Sequence, residues 1–405
     1  MEKVGVYISG LGQSFQQESF EKYAIRLKNE FCFTDNGSEF ELKTEKIVYT
    51  EERDSTVVSI FKYKKDNPDN AELVYKLYDF KYHEILTERF KKQNLLLKNL
   101  ILLGLILKKL PQLFLRIFSR GSFSRPYLTF YAFLVLLVIS LAIIFLIPAS
   151  IDIVTQYGAQ KEIKTLIESC HLDFEKITGF LSGLSQKTKW FVPITTFILL
   201  VIPESKTLLT SLATEFVCVD QYIENGDQSQ LVLGNLDLLI EYIAENDPKA
   251  QIHYHSYSFG TIIAMDLLFP IGNVPSANTK DRSELLITIG TPYEFINAYY
   301  PKFFNNRSAQ METKLTWMNV YSIADALATN FRKDTNRGPA LFGIDGFSLL
   351  PININYEVTS DKSMTLFNFI TMYAIRMHKC YWDASPNGQS CIRVLCNEMK
   401  ARGFI

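Results

Sequence analysis

Histidine is scarce in this chain: there are five in 405 residues, at positions 83, 171, 253, 255 and 378. Chemistry that needs an imidazole base must draw on those five. Cysteine is sparse too. The six cysteines, at 32, 170, 218, 380, 391 and 396, form no CxxC pair and no dense framework, so neither a cysteine-built metal site nor a disulfide scaffold is implied. Cys391 and Cys396 stand five apart beside a glycine-containing turn and could pair, but the set as a whole reads as reduced thiols, which fits a cytosolic compartment. No sign of charge dominates. Lys+Arg 42 against Asp+Glu 43 gives a net charge of -1, so no polycationic surface for nucleic acid is expected. The first residues, MEKVGVYISGLGQS, lack the long apolar stretch of a signal peptide. They read as a buried strand entering a glycine-rich turn, and the chain is expected to begin folding there.

What is abundant is aromatic and apolar. There are 30 Phe and 21 Tyr, and mean hydropathy is slightly positive at +0.04, which points toward membrane contact. The pattern divides the chain into three regions. Residues 1–86 have α/β character, with strand candidates at Val4–Ser9 and Leu73–Phe80 and a helix at Phe20–Phe31. Residues 87–208 differ. Nine Lys/Arg and no Asp or Glu lie between Arg89 and Arg125, and Leu95–Phe118 suits a basic helix lying in a bilayer surface and bent at Pro111. Tyr127–Ile147 follows, 21 uncharged residues, long enough as a helix to cross about 30 Å of hydrocarbon. The positive flank favours a cytosolic N-terminal side. Trp190–Pro203 is shorter and could return the chain, as could a hairpin made by Leu95–Leu107; a shallow arrangement with no crossing stays open. Residues 209–405 resume the α/β rhythm: strands at Phe216–Asp220, Gln251–Tyr257, Leu285–Ile289 and Trp317–Ile323, and helices at Leu231–Asn246 and Phe259–Leu268. Alternation of this kind predicts a mostly parallel sheet covered by helices, with its chemistry beyond the carboxyl ends of the strands.

The stretch AQIHYHSYSFGTIIAMDLLF, Ala250–Phe269, runs from strand through a tight turn into helix. A nucleophile elbow has this form and carries GxSxG, because small residues are needed two before and two after the serine. Here SYSFG supplies Ser256, Tyr257, Ser258, Phe259 and Gly260, with serine in place of the first glycine. Ser258 is the candidate nucleophile, since centring on Ser256 would put bulky Tyr254 at a flank. A serine hydroxyl needs a base. His253 and His255 lie in the strand leading to Ser258 and cannot readily turn back over it, while His83 and His171 lie before and inside the insert. His378 remains. The acid should follow a later strand, and Asp325 stands just past Trp317–Ile323, where it would hold the imidazole in one tautomer. Asp325 as a plain helix cap for ALATNF, and Glu294 as a rival acid, are the competing readings. Oxyanion donors are expected from the backbone of Phe259 and from the SGLGQ turn, at Leu11 and Gly12. That turn also hints at a dinucleotide site, but GLGQSF does not complete GxGxxG.

The segments YISGLGQ, YHSYSFGT, ITIGTPYEF, WMNVYSIADAL and MHKCYW, in that order, resemble the α/β-hydrolase superfamily, in particular its lipase- and esterase-like serine hydrolases. The resemblance covers about 1–86 and 209–390. It implies a mostly parallel sheet covered by helices; the hydrophobic helical membrane insertion read from residues 87–208 would interrupt that sheet and has no counterpart in the basic fold. It implies Ser258 as nucleophile, Asp325 as acid and His378 as base, with no metal or organic cofactor. Tyr381 and Trp382 follow the histidine as bulky residues do in related hydrolases. The expected protein is a membrane-associated serine hydrolase, its catalytic domain facing the cytoplasm. Its partners would be the lipid bilayer and an acyl-lipid ester as substrate; self-association is left open. The alternative is a membrane scaffold or signalling protein that keeps the fold without turnover, for which the departure at Ser256 is the support.

Overall fold

The computed structural model describes residues 3–11, 18–35, 37–64, 67–91, 95–118, 137, 216–224, 226–334, 336–356, 377–382 and 390–405. They fall into two compact units, one drawn from 1–89, 112–130 and 218–405, the other from 90–111 and 131–217.

The first unit is built on an eight-stranded sheet in the order β2-β3-β4-β1-β5-β6-β7-β8. β1 is Lys3–Ile8, β2 Ser38–Thr50, β3 Arg53–Lys64, β4 Asn67–Asp79, β5 Gln251–Tyr257, β6 Ser283–Ile289, β7 Thr316–Tyr321 and β8 Ile352–Asn355. From β4 onward every pairing is parallel, whereas β2, β3 and β4 form an antiparallel meander at one edge. The central strands are buried on both faces because both are covered: β1 is apolar and buried from Val4 to Ile8, and β5 is buried from Ile252 to Tyr257, its His253, His255 and Ser256 held by hydrogen bonds. The outermost strand β2 alternates toward solvent and carries Glu and Lys, side chains that discourage pairing with another chain's edge.

Helix α1 (Glu18–Thr34) buries Phe20, Tyr23, Ala24, Leu27 and Phe31, a stripe at helical spacing. α2 is Tyr82–Lys91 and α3 is Leu95–Phe118. α4 spans 216–224, and α5 is Asp227–Asn246. α6, Phe259–Leu268, is buried along its whole length, as befits a helix that is apolar nearly all round. The one charge on it, Asp266, is held by an ion pair to Arg307 and by the Tyr222 hydroxyl at 2.8 Å. α7 (Ala277–Arg282) and α8 (Tyr293–Tyr299) are short connectors. α9, Cys391–Ala401, buries Cys391, Ile392, Leu395, Cys396 and Met399, and the Ser390 hydroxyl caps its first turn by accepting from the Arg393 amide. Cys391 and Cys396 are therefore neighbours on one helix, and both are free thiols. Burial pushes both well up from the ordinary thiol range.

The sheet and its helices match the α/β expectation, with differences. The expected strand at Phe216–Asp220 is helical, within α4; its β-branched character gives way to a helical face that buries Val217, Cys218 and Tyr222. β2, β3 and β8 had no counterpart in the sequence pattern.

The membrane insertion is a larger correction. No helix among the described residues is long and apolar enough to cross a membrane. α3 does run unbroken for 24 residues through Pro111, but Lys98, Lys108 and Lys109 interrupt its apolar run. In the second unit its Leu105 packs with Val217, joined by Ile101 and Phe216. Apart from residue 137, Tyr127–Ile147 lies outside the described residues, as does all of Trp190–Pro203. With the insertion go the bilayer as partner, the membrane location with a cytoplasm-facing domain, the membrane-associated form of the hydrolase and of its scaffold alternative, and the lipid substrate inferred from that location.

Candidate active site

The ends of β1, β5, β6 and β7 converge on the candidate site. β5 ends at Tyr257 and the chain enters α6 through Ser258, whose φ is 52° and ψ -125°. A serine rarely adopts such a backbone, and it persists where its surroundings fix it. Here the Ser258 amide continues the ladder to the Ile289 carbonyl at 2.9 Å, and the Ser258 carbonyl accepts from the Thr261 amide at 3.0 Å and from the Thr261 hydroxyl at 2.6 Å. The turn has no room for side chains around it. A Cβ on Gly260 would lie 2.3 Å from the Ile8 carbonyl oxygen and 2.5 Å from that of Ser9, and a Cβ on Gly10 would lie 2.9 Å from Ser258 Cβ. The glycine turn after β1 thus passes directly against the elbow.

Ser256 lies on the opposite face of β5 from Tyr257. It is fully buried, and its hydroxyl donates to the Ile287 carbonyl at 2.6 Å. The departure from the GxSxG pattern is therefore a cross-strand hydrogen bond between β5 and β6, not a second hydroxyl at the elbow.

His378 stands on a short 3-10 helix, Met377–Trp382. Its Nε2 is 2.7 Å from Ser258 Oγ, and its Nδ1 is 2.8 Å from Asp325 Oδ2. The three side chains come from positions 258, 325 and 378, so the chain brings together groups 53 to 120 residues apart. Tyr257 stacks on the imidazole, ring centroids 5.4 Å apart, and its hydroxyl donates to the His378 carbonyl. Gly290, at the end of β6 with φ +59°, leaves the space that the ring occupies: a Cβ there would lie 3.3 Å from His378 Cε1 and 2.8 Å from Tyr381.

Asp325 is fully buried, and a buried carboxylate needs donors on both oxygens. Oδ2 accepts from His378 Nδ1–H and, at 2.8 Å, from the Tyr381 hydroxyl, while Oδ1 accepts from the Leu327 amide at 2.9 Å. The chain after Asp325 forms turns and bends, so the ALATNF helix that the capping reading required is absent, and the Leu327 contact closes a local turn instead. The rival Glu294 lies in the first turn of α8, and its amide donates to the Thr329 hydroxyl. Of the expected oxyanion donors, Phe259 is the first residue of α6, whose N-terminus carries the positive end of the helix dipole. Leu11 is buried in the turn after β1, and Gly12 lies outside the described residues.

His253 and His255 belong to a separate buried hydrogen-bonded row. Tyr23 Oη is 2.6 Å from His255 Nδ1, Tyr75 Oη lies 2.6 Å from His255 Nε2 and 2.9 Å from His253 Nδ1, and His253 Nε2 is 3.0 Å from Glu284. One proton order satisfies the whole row: Tyr23 donates to His255, His255 Nε2–H to Tyr75, Tyr75 to His253, and His253 Nε2–H to the Glu284 carboxylate. Both rings are then neutral. Burial lowers both imidazoles from their ordinary value, His255 strongly, and the hydrogen bond from His253 lowers Glu284 to about 2. A histidine whose folded pKa is depressed stabilises the fold above its unfolded value of about 6.5, and that stability is lost as pH falls. Thermal stability is therefore expected to drop with acidification below about pH 6.5. His255→Phe should have a lower Tm throughout but a flatter Tm–pH slope over that window; parallel slopes would remove His255 as the cause.

Beyond position, the residues that sequence alone missed are Tyr257 and Tyr381. Tyr257 stood in the motif and Tyr381 beside the histidine, but their hydroxyl partners lie 121 and 56 residues away, and no local pattern encodes such contacts. Among the described residues no His, Cys, Asp and Glu cluster could hold a metal ion. The topology of the sheet, with its helices, resembles the α/β-hydrolase fold in general. No protein-family model, no curated protein and no solved structure matches the chain.

Proposed function

We propose that the protein is a serine hydrolase that cleaves a carboxylic ester through an acyl-serine intermediate. The observation that carries this reading is the continuous row Ser258 Oγ, His378 Nε2, His378 Nδ1, Asp325 Oδ2, with spacings of 2.7 and 2.8 Å at a positive-φ turn between β5 and α6. Such spacing is within proton-transfer reach.

In the proposed reaction Ser258 Oγ attacks the ester carbonyl and its proton passes to His378 Nε2. Asp325 keeps Nδ1 protonated and stabilises the imidazolium. The oxyanion develops near the Phe259 amide and the N-terminus of α6, with the turn after β1 as the second source of amides. Collapse of the tetrahedral adduct breaks the ester C–O bond, and His378 Nε2–H protonates the departing alkoxide. Water then gives its proton to His378 and its oxygen to the acyl carbon. The second adduct collapses to release the carboxylic acid, and the proton returns to Ser258 Oγ.

The experiment is a pre-steady-state assay with p-nitrophenyl butyrate. The reading expects a burst of p-nitrophenolate stoichiometric with enzyme, followed by slower turnover. Folded protein that gives neither burst nor turnover with this and other activated short-chain acyl esters would contradict it.

A further inference from the structure

The carboxylate of Asp325 does more than face the histidine. Its Oδ2 is shared by two donors, His378 Nδ1–H at 2.8 Å and the Tyr381 hydroxyl at 2.8 Å. Tyr381 is itself fully buried, and its oxygen accepts from the Ser322 amide at 3.1 Å. The phenol therefore joins three things: the end of β7, the acid, and the short turn that carries the histidine. Its ring packs over Gly290, where a Cβ would collide with it, and edge-on to both Tyr257 and His378.

We propose that Tyr381 is a positioning residue for the hydrolysis proposed above, holding Asp325 in place and setting, through the shared oxygen, how strongly the acid supports a protonated His378. The inference rests on the serine-hydrolase reading. The physical argument concerns charge. A carboxylate that accepts a hydrogen bond from a neutral phenol has part of its negative charge drawn away from its other partner. Among the described residues, the groups facing His378 include Asp325 from the loop after β7, Ser258 from the elbow, Tyr257 from β5, and Tyr381 from its own turn. Of these, Asp325 is the anion. Removing the Tyr381 hydroxyl leaves that anion's charge concentrated on the imidazole, stabilises the imidazolium, and raises the pH at which His378 becomes the free base. It also removes the hydrogen bond that the Ser322 amide donates to the phenol, so the acid loop loses a tether.

The test follows the rate at which a fluorophosphonate labels the purified full-length chain as a function of pH. The rate rises as His378 loses its proton. In Tyr381→Phe the maximum rate should fall about tenfold, and the pH midpoint should move up by about half to one unit. A second substitution covers failure to fold. Site-specific 3-fluorotyrosine at 381 keeps the ring and makes the phenol a stronger donor, so the midpoint should move down. A wild-type chain that labels, with a Tyr381→Phe midpoint unchanged whatever its rate, overturns the inference and leaves the hydrolase reading standing, as does an unchanged midpoint in the fluorotyrosine protein. A wild-type chain that does not label at all removes the reading and this inference with it.

Discussion

Ser258→Ala and His378→Ala should each lower ester turnover by about 10⁴- to 10⁶-fold, and the double substitution should be no worse than either single one. The expectation follows from the geometry. The hydroxyl and the imidazole are one hydrogen-bonded unit, 2.7 Å apart, and removing either ends the same step, so their losses cannot add. Asp325→Asn keeps the shape of the unit but offers Nδ1–H a poorer partner, with about 10⁴-fold loss expected. Ser256→Ala is the internal control. It removes one buried hydrogen bond to the Ile287 carbonyl, worth about 1 kcal/mol of stability, and should leave turnover within a few fold, because its hydroxyl points across to β6. Losses that add in the double variant, or a Ser256→Ala enzyme as impaired as Ser258→Ala, would show that the unit is wrongly drawn.

Gly260→Ala should cost more than about 3 kcal/mol of stability or prevent folding. The added methyl would meet two backbone carbonyl oxygens, Ile8 at 2.3 Å and Ser9 at 2.5 Å. Both belong to the run from β1 into its glycine turn, at the centre of the sheet, and neither can rotate away as a side chain could. Gly234 supplies the contrast. It lies inside α5 with nothing within 4 Å of its would-be Cβ, so Gly234→Ala should stabilise by about 0.5–1 kcal/mol through helix propensity alone. Urea unfolding of the two variants beside the parent separates these outcomes. Equal effects at the two positions would mean that the elbow is looser than its contacts indicate.

The elbow was legible in the sequence because its constraints are local. A strand, a sharp turn and a helix must be written in consecutive residues, and the small residue at 260 is required by contact with the chain just beyond β1. The parallel core was legible for a related reason: strands buried on both faces tend to be continuously apolar, as at Val4–Ile8. The antiparallel meander was not. β2 carries Glu39, Glu41, Lys43, Glu45 and Lys46, and at an edge with one exposed face such a strand needs little apolar signal. α4 misled in the other direction, since its valine and aromatic residues suggest a strand and only packing makes them a helical face. The helix at Leu95–Phe118 was legible from its apolar spacing, whereas the bilayer contact read from its lysine-rich composition has no support, since no helix among the described residues is long and apolar enough to cross a membrane. The roles of Tyr257 and Tyr381 depend on tertiary contacts, which no spacing rule could anticipate.

The most direct measurement of the central claim is the site of covalent modification. The folded chain is treated with a fluorophosphonate, digested and sequenced by mass spectrometry. One adduct per chain, on Ser258, forming faster above the imidazole's titration than below it and absent from His378→Ala, is the predicted result. A folded chain that stays unmodified, or that carries its adduct on another serine, would contradict the account.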